Sequence, residues 1–204
     1  MAAVSAIPLV FLDSNVLYPV RVADLVLSSV DDGLFEVCVS EDLLIEIERV
    51  LIEVKGLAPE KAKIFTKAVA SNSAQLVSNA QYAELASMLT GPDPDDLLHL
   101  AAAIEAGCDV VLTNNIDDFI KAIVPDGHRV PAILTPDQFF GHLIADGLRE
   151  DLAQTVSRIS AKLKRPHRSP REILDGLEVC GLIETAKSLR SYFPCTLNLA
   201  LERV

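Results

Sequence analysis

The sequence predicts an α/β fold, with a parallel, doubly wound sheet in residues 1–140 and a small all-helical C-terminal region in residues 141–204. Three observations predict it. Short, continuously apolar runs alternate with segments of helical periodicity, as in a parallel sheet covered on both faces. Acidic residues follow several of these runs, and beyond about Gly141 only helical patterns remain.

The first elements surround an acidic residue. Residues 7–12 are predicted to form a central strand, buried on both faces, that ends at Asp13. SNVLYP is predicted to be a turn that Pro19 keeps from becoming helical, and RVADLVLSSV to be the first amphipathic helix. FEVCVS forms the second predicted strand, and Ser40 caps a helix at about residues 41–55.

The middle of the chain continues this alternation. A helix beginning at Pro59 precedes a brief strand, AQLVS, and a short helix, QYAELASML. The turn TGPDPDD opens DDLLHLAAAIEAG, which is apolar almost all round, is therefore predicted to be a buried helix, and ends at Gly107. CDVVLTNN is a buried strand, IDDFIKAI a short helix, and RVPAILT a last strand with a proline suited to a sheet edge.

The C-terminal third contains helical signals alone. Thr135 is predicted to cap the helix in TPDQFFGHLIAD. GLREDLAQTVSRISAKLK, RSPREILDGLEVC and LIETAKSLRSYF follow as helices. Ser169 and Glu172 form a capping box around Pro170, which sets the start of the second of these.

Composition narrows the functional classes. The chain has 204 residues, half of them apolar, enough for one good core. No run approaches the roughly 20 apolar residues of a membrane span, and MAAVSAIPLVFLD lacks the basic start of a secretory signal, so we expect a cytoplasmic protein with no membrane partner. The four widely spaced cysteines are expected to be small core residues rather than zinc ligands: Cys38, Cys108, Cys180 and Cys195.

The net charge of −11 argues at first against nucleic acid, which is a polyanion. Its distribution is uneven, because residues 1–157 carry 24 Asp and Glu against 9 Lys and Arg, a net of −15, and residues 158–204 carry 5 against 9, a net of +4. A basic run without a single acid contains Arg158, Lys162, Lys164, Arg165, Arg168 and Arg171. It contacts RNA phosphates, or is a solvated helix and loop, or pairs with acids of its own or a neighbouring chain.

Carboxylates and amides from four segments are expected at the carboxyl edge of the sheet, where open α/β folds bind ligands. They are Asp13, Glu46, Asp93, Asp95, Asp96, Asn115, Asp117 and Asp118. Like charges this close raise one another's pKa unless a cation neutralises them. Oxygen ligands alone suit Mg²⁺ or Mn²⁺, ions that commonly bind phosphates and can assist phosphodiester hydrolysis, so a nucleic acid is the expected substrate.

These blocks resemble the PIN domain over about residues 7–140, and more closely the VapC-like toxin ribonucleases of type II toxin–antitoxin systems. FLDSNVLYP is similar to the opening strand with the first catalytic Asp, here Asp13, and Asn15 matches a small polar position after it. SEDLLIEIERVL resembles the helix that carries the family's Glu, here Glu46. DPDDLLHLAAAIEAGCDVVLTNNIDDF resembles the third block, whose Asp maps to Asp96.

One position departs from the family pattern. Many members have an Asp just after the strand and its Thr, whereas this chain has Asn115, so the fourth ligand is either that amide or Asp118. The resemblance implies a Mg²⁺- or Mn²⁺-dependent endoribonuclease, often homodimeric and held inactive by a cognate antitoxin. It implies metal ligands at Asp13, Glu46, Asp96 and Asn115 or Asp118. Candidate RNA contacts are Asn15, Lys162, Lys164, Arg165 and Arg168.

Plainer interpretations stand beside these. Asp13 could merely cap the turn after its strand. Helical spacing does not choose between Glu46 and Glu48, so only the family resemblance selects Glu46. His99, in the buried helix, is expected to be a satisfied core histidine rather than a general base.

The sequence also offers two alternative functions. A catalytically degenerate PIN-like module that binds RNA or a protein partner without cleavage is suggested by Asn115, which replaces a carboxylate. A phosphatase of the haloacid-dehalogenase kind also begins with Asp after a strand. That chemistry needs a second carboxylate two residues later, where this chain has Asn15, so this alternative is disfavoured.

Overall fold

The computed structural model describes residues 7–194, and Cys195 lies outside that range. Within it, five strands form one parallel sheet in the order β3-β2-β1-β4-β5. The strands are β1 (Leu9–Leu12), β2 (Glu36–Ser40), β3 (Gln75–Val77), β4 (Val110–Leu112) and β5 (Ala132–Leu134). The predicted parallel α/β sheet is confirmed.

Helices cover the sheet and form the C-terminal region. Over residues 7–194 they are α1 (Ser14–Leu17), α2 (Val20–Asp31), α3 (Glu41–Glu53), α4 (Pro59–Ser71), α5 (Asn79–Met88), α6 (Pro94–Glu105), α7 (Ile116–Ile120), α8 (Pro136–Leu143), α9 (Arg149–Lys162), α10 (Pro170–Val179) and α11 (Ile183–Leu189). A kink at Gly147, whose φ is +98°, separates α8 from α9. None of the helices described is long and apolar enough to cross a membrane.

The central strand is shorter than predicted. The run was expected to be buried from Ile7, but Ile7 is 54% exposed and β1 begins at Leu9. Pro8 has no backbone N–H, so it cannot donate to a neighbouring strand, and the ladder starts one residue later. From Val10 to Leu12 the strand is fully buried.

The segment after β1 corrects another prediction. Residues 14–17 form the short helix α1, where a turn was expected. Pro19 ends this helix rather than preventing it, because a proline disturbs the residues just before it and α1 is already complete at Leu17. The result is that Ser14, Asn15 and Tyr18 lie directly beside the end of β1.

The buried helix α6 follows its sequence signals. The Asp93 side chain caps it by accepting a hydrogen bond from the Asp95 backbone N–H at 2.9 Å. Gly107, with φ +70°, ends it in a conformation that side chains with a Cβ rarely adopt. Residues 99–104 are buried, so the predicted buried helix is confirmed.

The C-terminal helices pack against the sheet region. The Phe35 ring makes an edge contact with Phe139, with ring centroids 4.9 Å apart, and the Thr155 hydroxyl donates to Asp32 at 2.5 Å. Capping boxes at Thr135 and Ser169 start α8 and α10 as predicted. The domain boundary predicted between residues 140 and 141 stays a prediction; α8 spans it.

The described cysteines behave as small apolar residues. Cys38 and Cys108 are buried and Cys180 is half-buried. The thiols of Cys38 and Cys108 contact each other, and this hydrogen bond together with burial raises the pKa of Cys108. Neither is a candidate nucleophile.

Replacing Asp137 tests the attachment of the C-terminal helices. Its carboxylate accepts from the backbone N–H groups of Glu184 and Thr185, at 3.1 and 2.9 Å, and from the Thr185 hydroxyl at 2.7 Å. We expect Asp137→Ala to lower the free energy of unfolding by about 2–3 kcal/mol, because it leaves these donors unpaired. Urea unfolding measures this. Asp126→Ala, at an exposed loop position, is the control and should change stability by less than about 0.5 kcal/mol.

Candidate metal centre

The pairing of β1 with β4 brings two chain segments together at the carboxyl edge of the sheet. Leu12 is in register with Leu112, and the Asp13 backbone N–H donates to the Leu112 carbonyl at 3.0 Å. Asp13 and Thr113 are therefore neighbours, although 100 residues separate them along the chain.

Asp13 is held by hydrogen bonds from two side chains. Its Oδ2 accepts from the Thr113 hydroxyl at 2.5 Å and from the Asn15 amide at 2.6 Å. Asp13 is 3% exposed, and this burial raises the pKa of its carboxyl while the Thr113 hydrogen bond opposes the rise. The Asn15 carbonyl oxygen accepts from the Asn114 backbone N–H at 2.9 Å. Asn15 was a candidate RNA contact, but both polar atoms of its side chain are hydrogen-bonded within the site, to Asp13 and to the Asn114 backbone.

Glu46 reaches the same edge from α3. Its Oε1 accepts from the Ser14 hydroxyl at 2.6 Å and the Tyr18 hydroxyl at 3.1 Å, and its Oε2 lies 3.4 Å from His99 Nε2. Burial, together with the Glu46 charge, raises the pKa of Tyr18 to about 12. Glu48 instead lines a separate groove on the outer side of α3. The structure therefore places Glu46, and not Glu48, at the carboxyl edge of the sheet. Helical spacing alone could not choose between the two.

Asp96 lies in the first turn of α6, facing Asp13 and the start of α7. Burial is the main cause that raises its pKa to about 7, and the charges of Asp13 and Asp93 add to it. The Asn115 amide nitrogen donates to Asp96 at 2.9 Å and to Asp118 at 2.6 Å. Both candidates for the fourth position thus lie beside Asp96, and Asn115 presents its NH₂ group between the two carboxylates.

Two groups of ligand atoms can be drawn around Asp96. One atom each from Asp13, Asp96 and His99 lies within 4.8 Å of the other two, and the same holds for Asp93, Asp96 and Asp118. This limit is compatible with the roughly 4.2 Å that separates opposite ligands of an ion with metal–oxygen bonds of about 2.1 Å. The residues present fit a divalent cation.

His99 differs from its predicted role. It is buried as expected, at 3% exposure, but it is not a satisfied core residue. Its Nδ1 has no hydrogen-bond partner among residues 7–194 and lies 3.9 Å from Asp13 Oδ1. The position of His99 at the carboxylate cluster could have been found from its spacing, because a residue three positions after Asp96 lies on the same face of the helix.

The other residues overlooked in the sequence are the hydrogen-bond donors. Thr113 links two segments, since its hydroxyl donates to Asp13 and accepts from the Asn115 backbone N–H at 2.9 Å. Ser14 and Tyr18 do the same for Glu46. Nothing in the sequence distinguishes these three hydroxyl residues from ordinary polar residues, because polar residues commonly lie within one or two turns of an acid.

The predicted basic RNA contacts lie outside this cluster. Lys162 lies 3.9 Å from Asp31 at the end of α2, and the neighbouring Arg158 pairs with Asp32. Lys164 and Arg165 are exposed in the loop before α10. Among the alternatives for the basic run, pairing with the chain's own acidic region is therefore observed for Arg158 and Lys162.

A surface cleft of about 360 Å³ opens beside the cluster. It is lined by residues of α3 and α6, among them Glu46, His99 and Arg49. Arg49 is exposed and places a positive charge on the wall opposite Asp95. Through this cleft, Glu46 and His99 are accessible from the surface.

This sheet order and acidic edge define a PIN domain. The PIN domain family model matches residues 9–117, slightly more than half of the chain, and the chain belongs to that family. A second family model, the VapC50 C-terminal domain, matches residues 136–191. The predicted resemblance to PIN domains, and within them to VapC proteins, is confirmed.

Wider comparisons add little to this. No curated protein matches the chain. One solved structure that does match is described as "Crystal structure of DNA bound VapBC from Salmonella typhimurium"; the match has 20% identity and a TM-score of 0.45, and it covers 64% of this chain and 99% of the other.

The raised pKa of Asp96 predicts how stability depends on pH in the absence of divalent metal. A carboxyl whose pKa is about 7 when folded and about 3.8 when unfolded favours folding at low pH, and this contribution is lost as the pH rises through 7. The difference between these two pKa values corresponds to at most about 4 kcal/mol in the free energy of unfolding. Partial exposure of Asp96 reduces this to about 1–2 kcal/mol.

Asp96→Asn is therefore expected to be more stable than the wild type by that amount at pH 8 in a chelator, and equal to it near pH 4. Urea unfolding across this range provides the test. The exposed Asp95→Asn is the control, with a smaller effect. Equal stability of Asp96→Asn and wild type at pH 8 would contradict the raised pKa.

Proposed function

We propose that this chain is a divalent-metal-dependent endoribonuclease and the toxin of a toxin–antitoxin pair. The observation that carries the proposal is the convergence of ligand atoms from Asp13 and Asp96 with a second group, Asp93 and Asp118, that shares Asp96. Membership of the PIN domain family supports it, because PIN domains are generally metal-dependent nucleases.

Asp13 and Asp96 would hold Mg²⁺ or Mn²⁺, with either Asp118 or Asn115 completing the site. Glu46, expected from the sequence to be a further ligand, would act from beside them through His99. Asn115 would have to turn its carbonyl oxygen inward to become a ligand, whereas Asp118 already offers a carboxylate beside Asp96. When bound, such an ion lowers the pKa of water and stabilises the charge that develops on a phosphodiester during in-line displacement.

The surrounding residues orient the carboxylates. Thr113 and Asn15 hold one oxygen of Asp13, which leaves its Oδ1 facing His99. Ser14 and Tyr18 hold Glu46 in the same way. Hydrogen-bonded partners of ligands typically change metal affinity or activity 10- to 100-fold when removed.

RNA would enter through the cleft between α3 and α6. Arg49 on its wall offers a charge-assisted contact to a phosphate, as arginine does in nucleic-acid sites generally. Lys164, Arg165 and Arg168 lie on the loop that leads to α10, and Arg168 lines a groove with Val20 and Arg21 at the start of α2. Because α2 starts near the carboxyl edge, a strand of RNA leaving the site could follow this side of the molecule.

The toxin assignment rests on family membership. The match of residues 136–191 to the VapC50 C-terminal domain supports a VapC-like protein, and a cognate antitoxin is proposed on that ground. The homodimer, like the cytoplasmic location, stays a prediction. Co-expression with the product of the adjacent reading frame should relieve growth arrest if that product is the antitoxin.

Substitutions of Asp13 and Glu46, with Glu48 as the control, test the catalytic proposal. We expect Asp13→Asn to lower metal-dependent RNA cleavage by more than about 100-fold, because it removes a ligand. We expect Glu46→Gln to lower it by about 10- to 100-fold, because it removes the carboxylate beside His99. Glu48→Gln, two residues along the same helix, should retain cleavage. Rates are measured on a panel of structured and single-stranded RNAs with added Mg²⁺ or Mn²⁺.

Two outcomes would count against this. If Glu46→Gln cleaves as fast as Glu48→Gln, the glutamate has no role in the chemistry. If the wild type binds no Mn²⁺ in calorimetry at millimolar metal and cleaves no RNA, the degenerate, non-cleaving PIN-like module is the better description.

Salt dependence tests the basic loop. In an Asp13→Asn background that cannot cleave, Lys164→Ala/Arg165→Ala should weaken RNA binding and reduce the slope of log K against log salt by about 0.7 for each lost phosphate contact. Lys61→Ala/Lys63→Ala, exposed on α4, is the matched control. Equal slopes in both double variants would show that the loop does not contact RNA.

A further inference from the structure

His99 has a ring nitrogen that the protein leaves without a partner. The side chain is 4% exposed, and Nδ1 is one of only two buried side-chain polar atoms in residues 7–194 that lack a hydrogen bond. Leaving a buried polar atom unpaired costs about 1–3 kcal/mol. Such an atom needs an explanation, and a bound ion is one of those that account for unpaired buried groups.

The position of the ring fits coordination. His99 follows Asp96 by three residues on α6, so the two side chains lie on one face of the helix. One ligand atom each of Asp13, Asp96 and His99 lies within 4.8 Å of the others, and Nδ1 lies 3.9 Å from Asp13 Oδ1. A cation placed between these atoms would pair Nδ1 and screen the two carboxylates from each other.

The opposite ring nitrogen faces a carboxylate. Nε2 lies 3.4 Å from Glu46 Oε2, slightly beyond hydrogen-bond distance. Histidines that bind metal through one nitrogen usually donate the other N–H to a carboxylate, which fixes the tautomer and orients the ring. Glu46, itself held by Ser14 and Tyr18, can serve as that carboxylate.

We propose that His99 binds the metal ion through Nδ1 together with Asp13 and Asp96, and that this nitrogen ligand makes the centre favour Mn²⁺ over Mg²⁺. Magnesium strongly prefers oxygen ligands, whereas imidazole suits transition-metal ions. The proposal rests on the metal centre of the proposed function, but it adds a ligand and a selectivity that carboxylates alone would not give.

Pulsed electron paramagnetic resonance on the Mn²⁺-loaded protein detects the bond directly. Echo-envelope modulation from a coordinated ¹⁴N nucleus is expected in the wild type and is expected to vanish in His99→Ala. His142→Ala removes an exposed histidine and should keep the modulation. His99→Asn, which puts an amide in place of the ring, should keep bound Mn²⁺ without the nitrogen modulation and covers the case in which the alanine variant does not fold.

Calorimetry measures the selectivity. We expect His99→Asn to bind Mn²⁺ at least about 10-fold more weakly than the wild type, while Mg²⁺ affinity changes by less than about 3-fold. A purely structural or counter-charge role for His99 would change both affinities alike, or tighten them when the ring is removed. Circular dichroism of the metal-free variants checks that the fold is intact.

The possible failures are distinguishable. Bound Mn²⁺ without nitrogen modulation in the wild type, or modulation that persists in His99→Asn, would overturn the histidine ligand and leave the carboxylate centre standing. No Mn²⁺ binding by the wild type would overturn the metal centre itself, and with it the proposed function.

Discussion

The parallel pairing of β1 with β4 is the constraint on which the candidate site depends. Because Leu12 and Leu112 are in register, the two strands end together, and Asp13 and Thr113 follow as neighbours. A slip of one residue would turn Asp13 toward the opposite face and separate it from the Thr113 hydroxyl. The α6 helix, packed in the core behind these strands, then brings Asp96 and His99 to the same edge.

The site is electrostatically costly without a cation. Asp13 is almost fully buried, and the pKa of Asp96 rises to about 7 because burial and neighbouring carboxylates disfavour its charge. Hydrogen bonds from Thr113 and Asn115 offset part of this cost but supply no full positive charge. An ion that binds the folded state alone would stabilise the protein in proportion to its concentration relative to its Kd. Stability and metal loading are therefore coupled in such a site.

Much of this arrangement could be predicted from the sequence. The buried strands, the buried helix α6 and the acidic ends of the strands indicate a parallel sheet with carboxylates at one edge. The partners of these carboxylates could not be predicted, because Thr113 and Ser14 acquire their roles only through contacts with residues far along the chain. The unpaired Nδ1 of His99 could not be predicted. Burial in a helix usually means a satisfied side chain, and the sequence does not show which groups from other segments surround the ring.

The C-terminal helices share the core of the sheet region. Phe139 and Phe140 of α8 pack on Phe35 just before β2, while α9 lies along α2 and buries Leu152 and Val156. A protease that trimmed the chain after β5 would therefore expose aromatic surface and remove a wall of the fold, instead of releasing an intact sheet domain. Degradation by such a route would remove the protein as a whole, with no smaller folded form left behind.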